Sequence, residues 1–121
     1  MKGLALWVGV GCLGGCGALA RMLLDGFVSS RTRGAFPLGT LAVNLSGALV
    51  LGVLAGAAVR GDALLLTGTA VIGAYTTFST WMFETHRLAE DGGRLFAVVN
   101  VVASIAAGVA AAALGRAIGG G

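Results

Sequence analysis

Four long apolar stretches fill most of this chain, and only short polar links separate them. Crossing the hydrocarbon core of a bilayer takes roughly 20 apolar residues in a helix, and each stretch is about that long. In lipid every backbone N–H and C=O must be paired within the protein, which a long apolar stretch achieves as an α-helix. We predict spans at about residues 3–24, 37–59, 63–88 and 94–114.

The composition agrees with an all-α membrane protein that forms a single domain over residues 1–121. The chain is 57% hydrophobic and 11% charged, whereas a soluble domain carries roughly 25% charged residues. The first apolar stretch follows Lys2 as a signal peptide would. Because it continues to Leu24 and further spans follow, we interpret it as a retained first span. Pro37 opens the second span, as Pro does at helix starts.

The positive charges flanking the spans are nearly balanced between the two sides of the membrane. The side of the termini carries Lys2, Arg60 and Arg116, and the opposite side carries Arg31, Arg33, Arg87 and Arg94, with Arg21 at its boundary. Orientation follows the Lys/Arg bias, so a small bias permits insertion both ways and an antiparallel dimer. Small residues at helical spacing offer faces for close helix approach within or between subunits: Gly11, Gly15, Ala18, Gly52 and Gly56.

The third span carries an unusual cluster of hydroxyl groups between Gly73 and Glu84. Polar groups that face lipid are costly, so the cluster either packs against another chain or lines a path for something polar. Gly73 and the β-branched pair Thr76-Thr77 predict a break in this helix. Two opposite faces follow the break: Phe78, Trp81 and Thr85 on one, and Thr76, Thr80 and Glu84 on the other.

The polar residues within the spans are nearly all uncharged hydrogen-bond donors, including Asn44, Asn100 and Ser104. Such donors suit a small anion that must shed water and still leave, and the positive edges of aromatic rings also suit an anion. Interhelical hydrogen bonds and ordinary packing remain the alternative. His86, the only histidine, is predicted to be interfacial. Without a nucleophile–base pair, a carboxylate pair or a basic patch, neither an enzyme nor a nucleic-acid-binding protein is expected.

Three strings of residues resemble the CrcB/Fluc family of fluoride channels. They are Gly17-Ala18-Leu19-Ala20-Arg21, then Pro37-Leu38-Gly39-Thr40-Leu41-Ala42-Val43-Asn44-Leu45-Ser46-Gly47, then Gly73 through Glu84. The order and spacing match over the first three spans, and the fourth agrees in length and in the placement of its polar residues. The resemblance implies a multi-pass protein of the cell inner (plasma) membrane that exports fluoride passively and relieves fluoride toxicity.

The resemblance also implies an antiparallel, dual-topology homodimer in the lipid bilayer, with two fluoride pores and a structural sodium ion at its centre. The sodium ion would be held by the backbone carbonyls of Gly73 and Thr76 from both subunits. The residues implied to line the pore are Asn44, Phe78, Trp81, Ser79, Thr80, Ser104 and Asn100. Arg21 would lie near the pore entrance or fix helix packing, and Glu84 matches the acid found after this motif.

One residue departs from the family pattern, because Trp81 stands where the second aromatic residue is usually Phe. Trp is larger and brings an N–H donor, so it narrows the pore, contacts the anion or turns away. Two other functions remain open from the sequence. A small multidrug-type transporter is disfavoured, since the first span has no acid before Asp25. A non-conducting membrane assembly subunit would leave the hydroxyl cluster and Asn44 unexplained.

Overall fold

The computed structural model describes residues 2–32, 34 and 36–121, and its elements are helical. In chain order they are α1 (Lys2–Arg31), α2 (Leu38–Gly56), α3 (Gly61–Leu64), a π-helix (Leu65–Ile72), α4 (Gly73–Tyr75), α5 (Ser79–Glu90) and α6 (Arg94–Gly119). Four stretches are long and apolar enough to cross a membrane: Gly3–Arg31, Leu38–Gly56, Gly61–Glu90 and Arg94–Gly119. The prediction of an all-α membrane protein with four spans is therefore confirmed.

The first helix is longer than the sequence suggested. The predicted polar loop began at Asp25, but α1 continues to Arg31. Its last turns are held by local contacts: the Ser29 hydroxyl donates to Asp25 Oδ1 at 3.3 Å, and the Arg31 guanidinium lies 4.7 Å from the centre of the Phe27 ring. A basic residue in the last turn also complements the helix dipole. Arg33, counted above among the flanking charges, lies outside the described residues.

The third span, Gly61–Glu90, is not one regular helix. Its first half widens into the π-helix, and helical structure stops at Tyr75 and resumes at Ser79. The predicted break in the third helix is thus present. Helix α1 approaches the π-helix closely at Gly17, where an added Cβ would collide with the backbone carbonyl of Val71. A glycine at this position therefore sets how near the first and third spans lie.

Glycines bring α2 and α6 into direct backbone contact. An added Cβ at any of four glycines would collide with a backbone carbonyl oxygen of the facing helix. Those glycines are Gly52 and Gly56 on α2, and Gly115 and Gly119 on α6. Small residues at a helix interface permit this approach in membranes. The face predicted at Gly52 and Gly56 is therefore used within the chain, whereas Gly11 and Gly15 on α1 face open space.

The chain by itself encloses little apolar core. Among the described residues few hydrophobic side chains are buried, and most of these are small: Val43, Ala70, Leu88 and Ala97. Large apolar side chains, among them Trp7, Phe78 and Phe83, are more than half exposed. Surfaces of this kind are covered by lipid or by another protein chain.

Candidate functional site

The amide of Asn44 joins the second span to the interruption of the third. Its Nδ2 donates to the carbonyl oxygen of Thr77 at 2.9 Å, and its Oδ1 accepts from the Thr77 N–H at 2.8 Å. The side chain thus pairs with both backbone polar groups of one residue, as a neighbouring peptide would. An Asn amide carries two N–H donors, and among the described residues one of them has an acceptor. The second remains available to a ligand.

This pairing changes the hydrogen bonding of the helix before it. The Thr76 N–H still bonds to the carbonyl of Ile72 at 2.9 Å, but Thr76 then turns to an extended conformation with ψ of 159°. In a continuous α-helix the Thr77 N–H would bond to the carbonyl of Gly73. Because Asn44 takes that N–H, the Gly73 carbonyl is released from its helical partner.

A side chain of the same segment also supports the start of α5. The Thr77 hydroxyl oxygen accepts from the Thr80 N–H at 3.1 Å, three residues further on. The Ser79 hydroxyl lies 3.5 Å from the same oxygen. Ser79 is exposed and Thr80 is half-buried. The hydroxyl cluster recognised in the sequence therefore builds the break as well as offering donors beside it.

A cavity of about 520 Å³ opens beside the break, between α2 and the third span. Asn44 and Thr69 contribute polar groups to its wall, and Gly73 and Thr76 line it at the break. On the neighbouring turn of α2, the Ser46 hydroxyl donates to the carbonyl of Val43 at 3.0 Å. It lies 2.7 Å from the Tyr75 hydroxyl. The cavity thus brings together Asn44 and both predicted sodium-binding residues.

The two aromatic residues after the break pack against each other. The rings of Phe78 and Trp81 are 5.6 Å apart and inclined by 80°, an edge-on contact, and Phe78 is 70% exposed. The Trp81 indole N–H does not point into open space, because it donates to the backbone carbonyl of Asn100 on α6 at 3.3 Å. The sequence left the direction of this side chain open, and the structure turns its donor toward α6.

Asn100 and Ser104 lie on the face of α6 that meets Trp81. Asn100 is 1% exposed, and its Nδ2 donates to the Thr85 hydroxyl oxygen at 2.8 Å. The Ser104 hydroxyl makes a long, 3.5 Å hydrogen bond to Asn100 Oδ1. The sequence placed Thr85 on the face of Phe78 and Trp81 but gave it no role. Its spacing of four residues from Trp81 was the available signal.

Glu84 and Arg21 do not line the cavity beside the break. Glu84 lines a separate cavity of about 220 Å³ with Pro37, Arg87 and Asp91. One carboxylate oxygen of Glu84 and the hydroxyl of Thr40 are buried without a hydrogen-bond partner among the residues that the structure describes. Arg21 is half-exposed on α1 and forms no ion pair with a described acidic residue.

Comparison with protein families shows which family this chain belongs to. Residues 8–116 match the family described as CrcB-like protein, Camphor Resistance (CrcB). The chain belongs to the CrcB family. The match covers most of the first and fourth spans, the whole of the second and third, and both sides of the interruption, so the resemblance found in the sequence strings is confirmed. Together with the four apolar spans, the match shows that this CrcB protein is a multi-pass membrane protein.

Relatives of this CrcB protein carry a functional name. "Fluoride-specific ion channel FluC 2" of Mycolicibacterium paratuberculosis is 53% identical over 116 residues, covering 96% of this chain and 95% of the relative. The protein of the same name from Mycobacterium tuberculosis is 53% identical over 93% of this chain. "Fluoride-specific ion channel FluC 1" of Symbiobacterium thermophilum is 42% identical over 93% of this chain. These names are those of ion channels and agree with the prediction that the chain is not an enzyme.

Proposed function

We propose that this chain forms a fluoride-selective channel through which the anion leaves the cell passively. The single observation that carries the proposal is the 53% identity to a relative named as a fluoride-specific ion channel, over nearly the full length of both chains. The site supports it independently. Its polar groups in the membrane are amides and hydroxyls, which bind a dehydrating anion without the tight hold of a buried Lys or Arg.

Asn44 is the first donor that we assign to the fluoride path. Its Oδ1 and one Nδ2 hydrogen hold Thr77, which fixes the direction of the remaining N–H. Ser79 and Thr80 add hydroxyls beyond the break, and Asn100 with Ser104 continues the polar groups along α6. The exposed ring of Phe78 presents a positively polarised edge to an anion. Asn100 is 1% exposed and supports Ser104 from behind, while the other groups replace water at the ion step by step, so no single site binds it strongly.

The working unit in this proposal is an antiparallel homodimer. Three features support it: the cavity beside the break, the exposed Phe78, and the near balance of flanking charge. A second copy of the chain would cover the cavity and the aromatic pair. Without it, the polar groups of the cavity would face the hydrocarbon of the lipid. A topology reporter at the C-terminus should therefore read on both sides of the membrane. A strong reading on one side only would contradict dual topology.

The proposal includes a structural sodium ion held by the backbone carbonyls of Gly73 and Thr76 from both copies. The donor set fits, because oxygen ligands suit a hard cation and broken membrane helices bind Na⁺ through unwound carbonyls. The Gly73 carbonyl is free of its helical partner because Asn44 takes the Thr77 N–H. When bound, the ion would supply positive charge where the two interrupted helices meet.

Fluoride efflux from liposomes that contain the purified protein tests the function. We expect a fluoride-sensing electrode to record release soon after the membrane potential is collapsed by an ionophore. Protein-free liposomes prepared in parallel give the leak. Release no faster than this leak would contradict the proposed function.

A further inference from the structure

Trp81, Thr85 and Asn100 form a closed ring of hydrogen bonds between α5 and α6. The Trp81 indole N–H donates to the Asn100 backbone carbonyl at 3.3 Å. The Asn100 amide donates to the Thr85 hydroxyl oxygen at 2.8 Å, and that hydroxyl donates to the Trp81 backbone carbonyl at 2.8 Å. Each residue is thus held by the other two, and the ring fixes both the backbone and the side chain of Trp81.

The ring leaves Trp81 little freedom to turn. An indole has a single donor and no acceptor, so the orientation of Trp81 depends on one bond to α6. That bond depends on the position of Asn100, which is 1% exposed. A buried amide that loses its partner carries an energetic penalty and moves to recover one. Thr85 is the partner of the Asn100 amide, and its hydroxyl also bonds the Trp81 backbone carbonyl. It therefore holds the turn of α5 that carries Trp81 against the turn of α6 whose Asn100 backbone carbonyl accepts the indole N–H.

We infer that Thr85 is a positioning residue for the channel: its hydroxyl sets the Phe78–Trp81 pair through Asn100 without contacting the ion. The inference rests on the proposed function, because it assigns the aromatic pair to the fluoride path. Phe78 is 70% exposed and packs edge-on against Trp81 at 5.6 Å. If Trp81 turns away, the Phe78 side chain loses the indole contact that orients it. The Ser104 hydroxyl is bonded to Asn100 Oδ1 and would move with the Asn100 side chain.

A pair of substitutions separates this role from plain packing. Thr85→Val keeps the volume and the β-branch but removes the hydroxyl, whereas Thr85→Ser keeps the hydroxyl and loses a methyl group. A residue that only fills space would tolerate Val at least as well as Ser. We expect Thr85→Val to slow fluoride efflux about fivefold, because it removes both hydrogen bonds of the hydroxyl, to the Asn100 amide and to the Trp81 carbonyl. We expect Thr85→Ser to stay within about twofold of the parent.

The fluorescence of Trp81 gives a second measurement that does not depend on conduction. The chain has two tryptophans, so Trp7→Phe leaves Trp81 as the sole emitter, and Trp7 is 63% exposed on α1, away from the ring. In this parent, Thr85→Val should add a fast component to the anisotropy decay, because the indole gains rotational freedom. Thr85→Ser should not. An identical decay in the Val and Ser variants would overturn the inference.

A last variant tests whether Thr85 acts through the indole. In a Trp81→Phe background the N–H bond to Asn100 is absent, and Thr85→Val should then slow efflux less than about twofold further. A full fivefold loss in that background would place the action of Thr85 elsewhere and contradict the inference. If the protein without substitutions releases no fluoride, the proposed function fails, while the anisotropy comparison still decides whether the hydrogen-bond ring holds Trp81.

Discussion

Asn44 and Thr77 exchange two hydrogen bonds, of 2.9 and 2.8 Å, across the gap between the second and third spans. This exchange interrupts one helix with a side chain of another. It satisfies both backbone polar groups of Thr77 at membrane depth, where unpaired backbone is tolerated only if it is buried in protein or lines a cavity, as Gly73 does. It also releases the Gly73 carbonyl and fixes the direction of the remaining Asn44 donor. The break and the donor beside it therefore have a common origin.

Replacing Asn44 with Asp tests this exchange. Asn44→Asp removes both N–H donors, places an oxygen against the Thr77 carbonyl and adds negative charge to the anion path. We expect fluoride efflux to fall by at least about tenfold, since an unpaired buried group alone is worth about 1–3 kcal/mol. Ser46→Ala, a polar-to-apolar change one half-turn away, is the control and should retain more than half of the rate. If Asn44→Asp conducts normally, Asn44 does not lie on the proposed fluoride path.

The exposed aromatic ring of Phe78 provides a second test. Phe78→Ile removes the polarised ring edge but keeps an apolar side chain, so we expect slower fluoride efflux and an unchanged elution volume on size-exclusion chromatography. Phe83→Ile on the same span is the matched control, because Phe83 is also strongly exposed, at 63%. It should conduct normally. Equal effects of the two substitutions would show that Phe78 has no special role in the pore.

The close contact of α2 and α6 predicts a large effect from one methyl group. In Gly115→Ala the new Cβ would collide with the Leu49 carbonyl, so the helices must separate, at a cost of about 1–3 kcal/mol. Gly108→Ala lies on the same helix and meets nothing within 4 Å. It should be neutral or stabilising by up to about 1 kcal/mol. Thermal unfolding in detergent compares them, and equal midpoints would contradict the packing described for this helix pair.

Removing sodium tests the proposed ion at the break. After dialysis with choline in place of sodium, we expect the protein to lose fluoride conduction, because the carbonyls of Gly73 and Thr76 would repel one another without a cation. Returning sodium should restore the rate. A rate that is the same in choline and in sodium would show that these carbonyls need no ion.

The sequence predicted the parts of this structure that depend on local pattern. Spans follow from the length of apolar runs, and the position of the break was predicted from Gly73 and the Thr76-Thr77 pair. The partners of side chains did not follow, because they depend on how helices are placed. Nothing local shows that Asn44 bonds Thr77, that Gly52 and Gly56 serve α6, or that Trp81 turns its N–H to Asn100. The length of α1 was missed because its polar end is stabilised by Ser29 and Arg31 rather than by apolar periodicity.

The central claim is selectivity for fluoride, and paired efflux measurements test it most directly. Liposomes with the purified protein are loaded with fluoride or with chloride, and release is recorded with the matching electrode under the same ionophore. We predict rapid fluoride release and chloride release no faster than from protein-free liposomes. Equal release of both anions, or of neither, would contradict the account.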